Sequence, residues 1–87
     1  MFLGWYDPDR KRPAREKLAD ALERYETKFR RKAVACLTSV ADAEELATDK
    51  KVTGRLAKLT VKGVAYIPRH TFYVGVEEAP EELAPAA

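Results

Sequence analysis

His70 and Cys36 are the only histidine and the only cysteine of the chain, and together they limit the chemistry it can carry. A catalytic thiol needs an electropositive, partly exposed setting with a base at hand. Cys36 instead alternates with Val34 and Thr38 inside the apolar run Ala33-Val34-Ala35-Cys36-Leu37-Thr38, where an inert packed thiol belongs. His70 follows Pro68-Arg69 in a turn, with no patterned carboxylates or thiols around it. That excludes a metal site, because Zn²⁺ generally takes four ligands. A packed or turn-stabilising His is expected, with Arg69 beside it as a weak anion-binding neighbour. Gly4, Gly54, Gly63 and Gly75 are isolated, so there is no glycine-rich phosphate loop. The sequence thus predicts no catalytic residue, no metal and no cofactor, and a protein that works by binding.

Basic residues offer the one spaced pattern with a chemical meaning. At about 100° per residue, Lys17, Arg24, Lys28 and Arg31 fall along one flank of a helix, and Arg10, Lys11 and Arg12 extend it at the helix start. Such a flank could hold several phosphates at once. Glu16, Glu23 and Glu26 take the opposite flank together with Arg30. Asp20 lies inside the basic flank, which favours an ordinary solvated face with local ion pairs. Tyr66, Phe72 and Tyr73 with Arg69 could stack bases on an exposed sheet, although aromatic residues in strands mostly serve packing.

The composition narrows the class further. Asn and Gln are absent altogether, a depletion expected of proteins that must survive heat; a GC-rich genome is the rival explanation. One Cys allows no internal disulfide, and 87 residues make a single domain. The opening Met1–Asp7 segment is too short and too soon acidic for a signal peptide, and no apolar run is long enough to span a membrane. A cytoplasmic protein is expected. Net charge is only +2. The tail from Glu77 to Ala87 is acidic and Pro-interrupted, which predicts disorder beyond a domain of residues 1–76.

Periodicity supplies the elements that position these residues. Phe2, Leu3, Trp5 and Tyr6 form an edge strand or a plug over the core, and Asp7-Pro8-Asp9 turns the chain. Pro13 suits a first helical turn. Ala14, Leu18, Ala21, Leu22, Tyr25 and Phe29 then recur at steps of three and four, giving an amphipathic helix to about Lys32. A strand over Ala33–Thr38 follows, and Ser39 or Asp42 caps a short helix through Ala47. Leu56–Val61, Val64–Ile67 and Thr71–Val76 read as strands, with Lys62-Gly63 as a tight turn. The expected fold is a small layered α/β domain in the order helix, strand, helix, strand, strand and a further strand, with a possible N-terminal edge strand.

Trp5-Tyr6-Asp7, Arg24-Tyr25 with Lys28-Phe29, Cys36-Leu37, and Pro68-Arg69-His70-Thr71-Phe72-Tyr73-Val74-Gly75 make a pattern spread over most of the chain. In it the sequence resembles a group of small bacterial α/β proteins of uncharacterised function; Thr71 is an extra residue between the His and the aromatic pair. The resemblance implies a compact α/β fold and brings no activity with it.

Alternation in the strands suggests where a partner sits. Ala35 and Leu37 face away from Val34 and Cys36, and Tyr73 faces away from Phe72, Val74 and Val76, so both sides of the sheet are apolar. The long helix covers one side, and the short Ala41–Ala47 helix with the Phe2–Tyr6 segment offers limited material for the other. An uncovered face is an association site, with Trp5, Leu37 and Tyr73 as candidate interface residues. The sequence therefore favours an accessory or regulatory binding protein that acts through a protein partner or self-association. A nucleic-acid-binding module using the basic helix flank is the alternative.

Overall fold

The computed structural model describes residues 2–76; the acidic segment beyond them lies outside the described residues. The elements run β1 (Phe2–Tyr6), α1 (Ala14–Phe29), β2 (Ala35–Thr38), α2 (Val40–Thr48), a 3₁₀ turn (Leu56–Lys58), β3 (Thr60–Gly63) and β4 (Thr71–Gly75). They build one four-stranded mixed sheet in the order β1-β4-β2-β3. The expected α/β domain is present, and the N-terminal segment is indeed an edge strand. β4 is antiparallel to both of its neighbours, β1 and β2, while β2 and β3 are parallel. A parallel neighbour requires a crossover, and α2 supplies it.

α1 forms where the apolar steps place it: Ala14, Leu18, Ala21, Leu22 and Tyr25 are buried along one stripe. Pro13 at its start contributes no side-chain cap. The Ala14 N–H donates instead to Glu45 Oε2 of α2 at 2.7 Å, so a carboxylate from the neighbouring helix satisfies an orphan donor and complements the helix dipole. The helix stops at Phe29, three residues before the expected end, because Arg30 turns into the left-handed region with φ 59° and its N–H donates to the Glu26 carbonyl at 2.8 Å. α2 starts at Ser39, whose hydroxyl accepts from the Asp42 N–H at 3.0 Å and donates to Asp42 Oδ2 at 2.7 Å.

Both helices pack on the same side of the sheet. The core joins the α1 stripe to Leu46 of α2 and to Cys36, Phe72 and Val74 of the strands, with Leu3, Trp5 and Val61 partly buried against it.

The stretch between α2 and β4 departs from expectation. Leu56, Leu59 and Val61 do turn toward the core, but Leu56–Lys58 winds as a 3₁₀ turn, and only Thr60–Gly63 pairs as a strand. Lys62-Gly63 is no turn. It belongs to β3, and a Cβ on Gly63 would lie 3.0 Å from Val40 Cα and 3.1 Å from Ala43 Cβ, so the glycine admits α2 against the sheet. Val64–Ile67 makes no strand either: the Val64 N–H donates to the Thr38 carbonyl at 2.8 Å, after which the Ile67 N–H closes a turn on Val64. Val64, Tyr66 and Ile67 have strand-forming side chains, but here the chain must reverse to enter β4.

Candidate functional site

Two surfaces stand out, and the first is the sheet face without helices. Strand alternation puts Phe2, Gly4 and Tyr6 of β1, Thr71 and Tyr73 of β4, Ala35 and Leu37 of β2, and Thr60 and Lys62 of β3 on it. Register aligns Gly4, Tyr73, Leu37 and Lys62 in one row across the sheet, and Phe2, Gly75, Ala35 and Thr60 in the next. Tyr73 lies over Gly4, where an added Cβ would sit 3.0 Å from the ring. Phe2, Ala35, Leu37, Thr60, Lys62 and Tyr66 help line a groove of about 580 Å³ on this face. Tyr66 is 85% exposed and Tyr73 39%. Among these strand positions the only charge is that of Lys62.

Of the three interface candidates, Leu37 and Tyr73 are therefore neighbours on the open face. Trp5 is not with them. It turns to the helix side, packs against the core, and buries its indole Nε1 without a hydrogen-bond partner. Likewise Phe72 is fully buried under the helices, so of the three aromatics considered for base stacking only Tyr66 and Tyr73 are exposed.

The basic flank of α1 is thinner than its sequence. Lys17 is buried, 1% exposed, because it falls one step from Leu18 and Ala21 on the wheel and turns inward. Its Nζ lies 2.8 Å from His70 Nδ1. Lys17 is thus no part of an exposed phosphate-binding flank. Arg12 pairs with Asp7 and Asp20 at 2.8 Å each and reaches Glu16 at 3.4 Å; the Asp20 bond comes first among the carboxylates that raise its pKa. Arg24, Lys28 and Arg31 are exposed on the helix and its exit, as are Arg10 and Lys11 before it. Lys28 covers the Phe29 ring at 5.6 Å.

The second surface surrounds His70. Asp42, 1% exposed, organises it: Oδ2 accepts the His70 N–H at 2.7 Å, and Oδ1 pairs with Arg69 Nη2 at 2.8 Å. Burial alone would raise the Asp42 pKa, but the His70 N–H, the Ser39 hydroxyl and the Arg69 guanidinium together hold it below its ordinary value. His70 occupies the left-handed region with φ 68°. Its carbonyl accepts from the Asp7 N–H at 3.1 Å, which ties the β3–β4 turn to the end of β1. The expected turn-stabilising histidine is in place. Neither the Lys17 contact nor the Asp42 hub is marked by local sequence spacing, since the three side chains come from α1, α2 and the turn before β4.

Cys36 is buried under the helices, and burial, then the Asp42 carboxylate, push its thiol up to about 12. A thiol so protonated is a poor nucleophile. Native protein should therefore resist thiol reagents until denaturant unfolds it, which a labelling time course reads directly; full labelling of folded protein within minutes would contradict this packing.

No group of three or more potential metal ligands occurs among the described residues, and no helix among them is long and apolar enough to cross a membrane. No family model, curated protein or solved structure matches the chain.

Proposed function

We propose that this is a non-catalytic accessory or regulatory protein that engages a protein partner, or a second copy of itself, through the open face of its sheet. One observation carries the reading: α1 and α2 share one side, leaving Phe2, Leu37 and Tyr73 uncovered on the other. An apolar sheet face rimmed by polar groups favours association. The helix flank supports a nucleic-acid module less well, since Lys17 is buried and Arg12 is engaged by three carboxylates.

Tyr73→Asp tests the reading, because Tyr73 is half-exposed and its replacement leaves the core intact. Wild type and variant, matched in thermal midpoint to within a few degrees, are compared by light scattering and as baits in lysate of the native host with and without nuclease treatment. We expect either a concentration-dependent dimer or a co-purifying protein in the wild type, lost by at least about tenfold in the variant; an unpaired carboxylate on a desolvated face costs well over 1.4 kcal/mol. Identical assembly and identical co-purifying proteins for the two would overturn it. A partner that vanishes on nuclease treatment would transfer the case to nucleic acid.

A further inference from the structure

The cleft around His70 is separate from the open-face groove and has a chemistry of its own. Tyr6, Pro8, Arg10, Arg69 and His70 line it, and its volume is about 550 Å³, within the range of small-molecule sites. We propose that it binds a phosphate group.

The donors converge from three segments. Arg10, from the loop after β1, is exposed and has no ion-pair or hydrogen-bond partner among the described residues. Arg69 is fixed in place: its Nε donates to Asp42 Oδ1 at 3.1 Å and its Nη2 to Glu45 Oε1 at 3.2 Å. That leaves Nη1 as a charge-assisted donor for one phosphate oxygen. His70 is fixed as well. Lys17 Nζ holds Nδ1 at 2.8 Å, which leaves Nε2, at the ring edge away from Lys17, as the nitrogen that can donate to an anion.

Two cations here carry no carboxylate of their own. Asp42 and Glu45 take up Arg69 from one side, and Asp7 is bonded to Arg12, so neither pair supplies spare positive charge. Neither Lys17 nor Arg10 has a carboxylate within bonding distance. Lys17 lies buried behind the imidazole and Arg10 lines the cleft, so an anion there meets two cations without carboxylate partners. Buried positive charge acts at lower effective dielectric than charge at the surface. Tyr6, 65% exposed, adds an aromatic face against which the rest of the ligand can lie. The phosphate could arrive as the free ion or on a nucleotide, and the Tyr6 ring separates the two.

Titration calorimetry and the His70 ring NMR signals, with inorganic phosphate and with adenosine 5′-monophosphate as probes, test the site on the full chain. We expect saturable binding that shifts the His70 signals. Arg10→Ala should weaken it by about tenfold or more, the loss of one charge-assisted hydrogen bond, while Lys58→Ala leaves it unchanged. Tighter binding of the nucleotide, reduced by Tyr6→Ala, identifies a nucleotide as the phosphate source; equal affinities, indifferent to Tyr6→Ala, identify the free ion. Absence of binding for both probes at millimolar concentration, or binding that Arg10→Ala does not change, would overturn the proposal. Arg10 and Lys58 are exposed and outside the core, so both variants retain the fold. The outcome is also independent of the Tyr73→Asp result.

Discussion

Asp42→Ala should destabilise the protein by about 3–5 kcal/mol, the range for breaking a buried, hydrogen-bonded charge cluster from one side. Asp42 receives a hydroxyl from Ser39, the backbone N–H of His70 and the guanidinium of Arg69. Alanine leaves all three short of a partner, two of them in or near the interior. It also releases His70, whose left-handed backbone costs roughly 1–2 kcal/mol in a non-glycine residue and is held by that N–H bond. The turn that carries Arg69 and His70 then loses its anchor to α2. A domain of this length has on the order of 4–13 kcal/mol to lose, and the thermal midpoint should fall by about 12–40 °C. Urea unfolding with an unchanged m-value measures the loss directly. A cost below about 1 kcal/mol would mean that the hub is not what secures this turn. His70→Gly separates the two contributions, because it relieves the backbone while keeping an N–H for Asp42.

What could be read in the sequence follows the range of the interactions. The α1 stripe, the Ser39 cap and the turn at Asp7 rest on neighbours within four residues, and each is where the residues put it: the Asp9 N–H donates to Asp7 Oδ1 at 3.0 Å, for instance. The Cys36 environment was equally legible, since an uninterrupted apolar run buries its middle. The sites depend on longer reach. Glu45 caps α1 from 31 positions away, and Lys17 meets His70 from 53 away. A helical wheel places Lys17 at the border of the apolar stripe, and only the approach of the β3–β4 turn decides that it points inward. Trp5 shows the same effect in a strand. Phe2, Leu3, Trp5 and Tyr6 are all apolar or aromatic, so nothing local says which alternate pair faces the helices. Gly63 read as a turn because glycine commonly marks one, whereas its use is the close approach of α2. The open face could be anticipated because two apolar sides need two covers and the chain offers one layer of helices.

The same hub predicts how stability changes with pH. Asp42, Asp7 and Asp49 are all held below their ordinary pKa in the folded protein. The causes are specific: for Asp7 the Asp9 N–H, acting against burial, with the charges of Lys17 and Arg12; for Asp49 a bond from Arg15 and the Lys51 N–H. A carboxylate with a depressed folded pKa binds fewer protons folded than unfolded. Its stabilisation is complete above the unfolded value, near 4, and is lost as pH falls through the folded value. Cys36 works in the opposite sense. Its folded pKa of about 12 exceeds the unfolded value near 8.5, so its contribution is present below about pH 8.5 and declines as pH rises toward 12. Stability should therefore be flat between about pH 5 and 8, falling on both sides. Asp42→Asn should flatten the acid limb by up to about one proton of linkage, and Cys36→Ala should flatten the alkaline limb without changing the acid one. Urea midpoints measured from pH 2 to pH 10 check both. An acid limb equally steep in Asp42→Asn and wild type would place the linkage on Asp7 and Asp49, and would remove Asp42 as the group that couples the His70 turn to the ionisation of the core.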